Sequence, residues 1–318
     1  MQITFDSYTK QKFKIKQPIR LIELFAGIGS QAQALRNIGA DFEHWFVCEW
    51  DKYAIKSYNA IHGTAFETSD ITKLSGADLN ISDTEQATYI CTYSYPCTSV
   101  SKAGKREGMT KESGTASALL WEVERLLLEM KELPQVLLLE NVTQIYNEDN
   151  IRDFQKWCLS LEKMGYSNYI AEMNAKSYNV PQNRSRCFMV SVFNQYFFEF
   201  PKPLPLEKCI FDILESNVDK KYYFPEGVQQ FFCPEQMNIG IENKHAQILE
   251  VFNLYDLGMK GYTRMTGAVM HPCGISPTLR ANSGGNSEIK IIEPQTVDLV
   301  GGGTQDNAQR KLASYGAK

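Results

Sequence analysis

The stretch that decides the fold is Ile19-Arg20-Leu21-Ile22-Glu23-Leu24-Phe25-Ala26-Gly27-Ile28-Gly29-Ser30. The mostly apolar run from Ile19 to Phe25 predicts a buried β-strand. Gly27 and Gly29 end the run, and apolar residues then recur at helical spacing as far as Gly39. A glycine-containing turn between a strand and a helix lets a ligand approach the backbone at the helix N-terminus. The stretch therefore predicts a ligand-binding turn, with a purely structural turn as the alternative.

The alternation of strand and helix continues to about residue 192. Apolar runs predict further strands at 45–48, 89–93, 136–139 and 187–192, and helical spacing predicts helices at 51–61, 119–131 and 151–164. This order predicts an α/β fold with a doubly wound, Rossmann-like parallel sheet in residues 1–194. The proline-rich, aromatic stretch that follows has no βα repeat, so a second, smaller and irregular domain is predicted at 195–292.

Composition limits the kinds of partner and cofactor. The net charge of −4 argues against nucleic acid unless a local basic cleft offsets it, and the candidates for such a cleft are Lys102, Lys105, Arg106, Lys111, Arg184 and Arg186. The 8 cysteines form no C-x-x-C pair and the 4 histidines show no ligand spacing, so no metal site is predicted. Reduced thiols fit a cytoplasmic setting. No apolar run approaches the ~20 residues that cross a bilayer, so no membrane partner is predicted.

Polar residues follow the predicted strand ends where a nucleotide-like ligand would bind. Glu49 stands about twenty residues beyond Gly29, where a carboxylate accepts hydrogen bonds from ribose hydroxyls in dinucleotide-binding folds. Trp50 either stacks on an adenine ring or packs in the core. Asp70, where a third strand is expected to end, either accepts from an adenine amino group or caps a helix. A nicotinamide oxidoreductase is the alternative for this turn, and it would leave Pro96 and Cys97 unexplained.

A cysteine lies in a polar stretch directly after the strand predicted at 89–93. Cys97, in Ser94-Tyr95-Pro96-Cys97-Thr98-Ser99, is predicted to lie at the carboxyl edge of the sheet, where ligands bind in such folds. Nearby cations or a helix N-terminus would favour its thiolate. Cys48, Cys91 and Cys187 lie inside apolar runs and are predicted to be buried and inert.

Two further candidates stand near the next predicted strands. Glu140 ends the strand predicted at 136–139 and either donates to the ring nitrogen of a base or caps a helix. Arg184 and Arg186, two residues apart, are predicted to point the same way off the sheet.

Taken in order, these residues resemble the motifs of the DNA cytosine-5 methyltransferase family of bacteria and phages. The matching motifs are Phe25-Ala26-Gly27-Ile28-Gly29, Glu49-Trp50, Asp70-Ile71, Pro96-Cys97, Glu140-Asn141-Val142 and Gln182 with Arg184 and Arg186. A glycine-rich patch at 274–285 is similar to the family's target-recognition loop. The resemblance implies methyl transfer from S-adenosylmethionine to carbon 5 of a flipped-out cytosine in a specific sequence of double-stranded DNA, with S-adenosylhomocysteine as product.

The resemblance also implies a role for each matching residue. Cys97 would attack carbon 6 of cytosine, Glu140 would hold and protonate the ring nitrogen, and Arg186, with Arg184 nearby, would contact the base. Glu49 would bind the ribose, Trp50 the adenine ring and Asp70 the adenine amino group. The cofactor turn would comprise Phe25, Gly27 and Gly29, with Pro96 beside it. Residues implied to contact DNA are Ser101, Lys105, Arg106, Thr278, Arg280, Asn282, Gly284 and Gly285.

The resemblance is incomplete at the C-terminal end. The family's long helix and G-N-x-V segment are not matched, and residues 293–318 are expected to begin a return to the catalytic domain, with a helix from Arg310. We therefore expect a small second polypeptide that supplies these parts, and a bacterial or phage-encoded protein associated with the nucleoid. The alternatives are an RNA (tRNA) cytosine-5 methyltransferase and a methyltransferase-like subunit that is inactive without a partner.

Overall fold

Alternating strands and helices form the first of two units of the chain. The strands are β1 (Ile19–Leu24), β2 (Phe42–Cys48), β3 (Thr88–Tyr93), β4 (Val136–Asn141), β5 (Tyr166–Asn174) and β6 (Ser185–Phe193), and the helices are α1 (Ser30–Asn37), α2 (Lys52–His62), α3 (Leu120–Glu129) and α4 (Ile151–Lys163). This computed structural model describes residues 11–97, 109–111, 113–194, 196–215, 218–219, 248, 250–254, 256, 258, 260, 268–278, 289–292 and 312–315. The first unit comprises residues 1–173 and 185–201, and the second comprises 174–184 and 202–318.

The six strands form one sheet in the order β2-β1-β3-β4-β6-β5. β1 is parallel to both β2 and β3, and β3 is parallel to β4. Leu24 lies opposite both Cys48 and Tyr93, and Tyr93 lies opposite Leu139. Four strands therefore end at one edge of the sheet, which confirms the predicted doubly wound α/β fold.

The core of this unit lies on both faces of the central strand β3. All six residues of β3 are buried, because β1 and β4 flank the strand and helices cover it. Trp157 of α4 is fully buried and donates a hydrogen bond of 3.2 Å to the Tyr93 hydroxyl. Its ring also packs edge-on against Trp121 of α3, with 6.4 Å between ring centroids. These contacts fix α3 and α4 against the strands that carry the candidate site.

Three features of this sheet differ from the sequence prediction. β6 runs antiparallel to β4. The connection 175–184, which joins β5 to β6, is short and contains no α-helix, whereas a parallel crossover needs a dozen or more residues. β5 was not predicted, since its half-buried residues form no continuous apolar run. Residues 64–70 are not a strand, and Asp70 instead caps the short 3-10 helix Ile71–Lys73.

The second unit contains a four-stranded sheet in the order β10-β9-β8-β7, formed by β7 (Glu250–Asn253), β8 (Ala268–Met270), β9 (Ile289–Ile292) and β10 (Leu312–Tyr315). Ile210, Met270 and Ile291 form a small apolar cluster. Leu312–Tyr315 pairs antiparallel with β9 rather than beginning the expected helix, and residues 174–184, expected in the first domain, belong to this unit. The functions assigned to the domains, and the second polypeptide, stay predictions. No helix within the described ranges is long and apolar enough to cross a membrane.

The turn after β1 packs against α2. Glu23, buried in β1, accepts hydrogen bonds from the Tyr58 hydroxyl and, at 3.2 Å, from the backbone N–H of Ala32 in α1. Burial raises the pKa of Glu23. The Tyr58 hydroxyl also lies 2.7 Å from Nδ1 of His44, and Nε2 of His62 lies 3.1 Å from the Ile28 carbonyl oxygen. A buried polar network thus fixes the turn against two helices.

The two glycines of the turn meet different surroundings. Both have positive φ angles, 56° for Gly27 and 82° for Gly29. A Cβ added at Gly29 would lie 2.2 Å from Nε2 of His62 and 2.6 Å from a ring carbon of Tyr58, whereas one added at Gly27 would meet nothing within 4 Å. Gly29 is therefore required by the packing of α2, while Gly27 adjoins open space.

This difference predicts unequal losses of stability. We expect Gly29→Ala to lower the free energy of unfolding by about 1–3 kcal/mol more than Gly27→Ala, because only Gly29→Ala overpacks α2. Both substitutions carry the strain of a positive φ, so Gly27→Ala is the matched control. Urea unfolding of the two purified variants measures the difference, and equal losses would contradict the packing explanation.

Candidate active site

A cavity of about 540 Å³ lies at the edge where the parallel strands end. This volume is within the range of small-molecule sites. Five residues predicted from the sequence line it: Phe25, Glu49, Trp50, Asp70 and Pro96. The other lining residues are Cys48, Ser69, Ile71, Thr72, Ala116 and Leu119. The cavity therefore brings together the ends of β1, β2 and β3 with the short helix Ala116–Leu119 that precedes α3.

Glu49 joins the ends of β1 and β2. One carboxylate oxygen accepts a 2.8 Å hydrogen bond from the backbone N–H of Gly27, and the other accepts a 2.9 Å bond from that of Asp51. The residue is 8% exposed and lines the cavity. Because each carboxylate oxygen has two lone pairs, Glu49 can accept further bonds from hydroxyls of a ligand.

Trp50 and Asp70 form another part of the wall. Trp50 is 82% exposed, which excludes the alternative of core packing and leaves its ring free to stack on a planar group. Asp70 accepts hydrogen bonds from the Thr72 hydroxyl at 2.8 Å and the Thr72 backbone N–H at 3.0 Å, and these bonds lower the pKa of Asp70. Asp70 therefore caps a helix and lines the cavity at the same time.

The Pro96-Cys97 segment leaves β3 beside this cavity. Asn141, buried at the end of β4, donates a 3.0 Å hydrogen bond from its amide to the Tyr95 carbonyl oxygen. The hydroxyl of Ser117 donates a 2.8 Å bond to the Pro96 carbonyl oxygen. Pro96 lines the cavity, and Cys97, which follows it, is partly buried against the core of the unit. The cysteine thus stands next to the cavity on a segment tied to two neighbouring elements.

An ion pair joins the candidate residues of β4 and β6. Nε of Arg186 lies 3.2 Å from a carboxylate oxygen of Glu140, and their side chains are 17% and 25% exposed. The antiparallel pairing of β4 with β6 places Glu140 opposite Phe188, two residues beyond Arg186. Glu140 lies within β4 and pairs with a guanidinium. A partly buried pair of this kind fixes the orientation of both groups.

Arg184 belongs to the second unit, in which its backbone N–H donates to the Asn174 side chain at 3.2 Å. Next to it, Asn183 and Gln182 pair with Ser276, and Thr278 donates a 2.7 Å hydrogen bond from its hydroxyl to the Asn183 carbonyl oxygen. The first residues of the glycine-rich patch therefore pair with the strand-like segment before β6. The remaining implied DNA contacts lie outside the described residues: Ser101, Lys105, Arg106, Arg280, Asn282, Gly284 and Gly285.

Four of the other described cysteines have the properties of inert thiols. Cys48, Cys91 and Cys187 are buried, as the sequence predicts. Burial raises the pKa of Cys91 and of Cys187 to about 12. Cys158 is only partly buried, yet burial raises the pKa of its thiol to about 11. A thiol with such a pKa is almost entirely protonated at neutral pH.

Several residues of the site have no motif-like signal in the sequence. Ser69, Ala116 and Leu119 line the cavity, and Ser117 holds the Pro96 carbonyl. The stretch around Ala116 reads as the start of a helix, and only tertiary contact brings it to the end of β3. Thr72 had a local signal, since it follows Asp70 at the spacing of a helix cap.

Comparison with known proteins assigns the chain to a family. The family model for C-5 cytosine-specific DNA methylase matches residues 19–297, which include every element of the site. This chain belongs to that family. It is therefore a methyltransferase that acts on cytosine in DNA, and neither a nicotinamide oxidoreductase nor an RNA-directed enzyme is supported.

Individual relatives agree with the family assignment. The chain is 35% identical to the type II methyltransferase M.NlaX of Neisseria lactamica, over 89% of this chain and 85% of that protein. It is 31% identical to the orphan methyltransferase M.SssI of Spiroplasma monobiae, over 88% of this chain and 83% of that protein. The solved structure of the S. pombe Dnmt2 methyltransferase has a TM-score of 0.58 at 18% identity, over 89% of this chain and 78% of that one, and so shares the fold.

The thiol environments predict a pattern of chemical labelling. At pH 7.5 and limiting iodoacetamide, we expect Cys97 to be alkylated while Cys91, Cys158 and Cys187 stay unmodified. Labelling of Cys158 should rise as the pH approaches about 11, because its thiolate forms only there. Mass spectrometry of tryptic peptides measures each site. Faster labelling of Cys158 than of Cys97 at pH 7.5 would contradict this account.

Proposed function

We propose that the chain transfers a methyl group from S-adenosylmethionine to carbon 5 of a cytosine in a specific sequence of double-stranded DNA, with Cys97 as the nucleophile. The observation that carries the proposal is the cavity at the sheet edge, which gathers Glu49, Trp50 and Asp70 and includes Pro96, the residue before Cys97. Pro96 of the cavity and the nucleophile Cys97 are consecutive residues, so this arrangement suits the transfer of a methyl group from a bound cofactor to a base.

The residues of the cavity fit S-adenosylmethionine, which supplies the methyl group on a sulfonium. Glu49 is a buried carboxylate with spare acceptor capacity for the ribose hydroxyls, and the exposed ring of Trp50 can cover the adenine. Asp70 can accept from the adenine amino group. The space at Gly27 allows the ligand to approach the turn closely.

Cys97 activates the cytosine through a covalent bond from its sulfur to the ring, which forms first and breaks at the end. Its thiolate attacks carbon 6 of the cytosine, and the electrons of the carbon 5–carbon 6 double bond make carbon 5 nucleophilic. Carbon 5 would take the methyl group from the sulfonium, whose carbon–sulfur bond breaks to leave S-adenosylhomocysteine. Carbon 5 then loses its proton to water, and the electrons of that bond restore the double bond as the cysteine leaves as thiolate. Glu140 holds the ring nitrogen during these steps, oriented by its ion pair with Arg186, which contacts the base.

Reaction at a ring carbon requires the base to leave the duplex, because stacking encloses that carbon. Recognition is proposed for the second unit, where the patch that begins at Gly274 pairs with residues 181–183. Relatives are named both as type II and as orphan methyltransferases, and we propose that this chain serves as the methylase of a restriction–modification system.

The role of Cys97 is tested with DNA that contains 5-fluorocytosine. Fluorine at carbon 5 cannot leave as a proton does, so the bond to the enzyme should persist and give an adduct that withstands denaturation. We expect the wild type and Cys158→Ser to form the adduct and Cys97→Ser to form none, as seen on denaturing gels and by peptide mapping. An adduct in Cys97→Ser at the wild-type rate would assign the nucleophile elsewhere.

The role of Glu49 is tested by cofactor affinity. Loss of hydrogen bonds to a charged group costs roughly 1.5–3 kcal/mol, so Glu49→Ala should weaken S-adenosylmethionine binding by about tenfold to a hundredfold. Glu43→Ala is the matched control, because Glu43 lies on β2, the strand that Glu49 directly follows, but its side chain is 62% exposed and pairs with Arg20. Titration calorimetry measures both variants, and an unchanged affinity in Glu49→Ala would remove Glu49 from the site.

A further inference from the structure

The peptide that joins Pro96 to Cys97 is held by a side chain from outside the motif. The hydroxyl of Ser117 donates a 2.8 Å hydrogen bond to the Pro96 carbonyl oxygen. Ser117 is 0% exposed, although a serine in a short surface helix is usually solvated. Its hydroxyl is therefore directed into the protein, toward the main chain of the candidate nucleophile.

Few other hydrogen bonds could hold the main chain of Pro96. Pro96 has no backbone N–H, so its carbonyl is the one main-chain group through which it can be held by a hydrogen bond. The peptide unit is planar, and a fixed carbonyl therefore fixes the N–H and Cα of Cys97. Asn141 holds the preceding carbonyl, that of Tyr95, at 3.0 Å. Two successive carbonyls are thus tied to two different elements just before the sulfur-bearing residue.

The short helix that carries Ser117 forms part of the cavity wall. Ala116 and Leu119, in the same short helix Ala116–Leu119, line the cavity, and so does Pro96. The Ser117 bond therefore joins two parts of the cavity wall, and one of them continues directly into Cys97. A displacement of this helix would move the peptide that positions the thiol.

We propose that Ser117 is a positioning residue for Cys97, which orients the thiol relative to a ligand in the cavity through the Pro96 carbonyl. This inference rests on the proposed role of Cys97 as the nucleophile. Ser117 takes no part in proton transfer or in binding the base. Loss of its hydroxyl should slow bond formation to carbon 6 while the cofactor still binds.

The test compares Ser117→Ala, Ser117→Thr and Ser191→Ala. Ser191 is the matched control, because it is also 0% exposed and donates a 2.7 Å hydrogen bond, to Asn168, from a position opposite Leu137 near the start of β4. The rate of adduct formation with 5-fluorocytosine DNA is measured in a single turnover. Cofactor affinity by calorimetry and the thermal midpoint of unfolding are measured on the same samples.

We expect Ser117→Ala to form the adduct about tenfold to a hundredfold more slowly, since small misplacements of a reacting group have effects of that size, with cofactor affinity within about twofold of wild type. Ser117→Thr, which keeps a hydroxyl, should recover most of the rate, and Ser191→Ala should keep it. The inference is overturned if Ser117→Ala keeps the wild-type adduct rate, if its cofactor affinity falls as much as its rate, or if Ser191→Ala is equally slow. A wild type that forms no adduct at Cys97 would instead remove the proposed nucleophile, and this inference with it.

Discussion

The parallel hydrogen-bond register of β1 with β2 and β3, and of β3 with β4, is the constraint on which the candidate site depends. Because Leu24, Cys48, Tyr93 and Leu139 stand at matching positions of these strands, the residues that follow them begin at one edge. A shift by one residue would turn each side chain of a strand to the opposite face. The buried strand β3, with apolar contacts on both sides, opposes such a shift.

Side-chain hydrogen bonds then convert this edge into a defined cavity. Glu49 ties the end of β2 to the turn after β1 through the backbone of Gly27, and Asn141 ties the end of β4 to the segment after β3 through Tyr95. Each bond gives a partner to a backbone group beyond the end of a strand, where no neighbouring strand supplies one. A buried backbone group without a hydrogen-bond partner would destabilise the fold. The loops of the site are thus held by neighbouring strands as well as by their own turns.

Much of this arrangement could be predicted from the sequence, because strand ends and their polar residues are local features. The runs that became β1 to β4 identified the edge, and Glu49, Trp50, Asp70 and Pro96 were predicted to lie there. Features that depend on contacts between distant elements were not predicted. The strand β5 lacks an apolar run, the position of Gly29 is limited by Tyr58 and His62, and Ser117 reaches Pro96 only through the packing of α3. Local patterns carry no information on such neighbours.

The exposure of Trp50 has an optical consequence. The chain has 4 tryptophans, and Trp50, at 82%, is the exposed one, whereas Trp157 and Trp121 are buried and Trp45 is half-buried, with its indole N–H bonded to the Leu79 carbonyl. Water around an indole shifts its fluorescence to longer wavelengths, and a dissolved quencher reaches only solvated rings. The red edge of the emission spectrum therefore reports on a single residue at the mouth of the cavity, and a molecule that covers that ring changes the signal without any added dye.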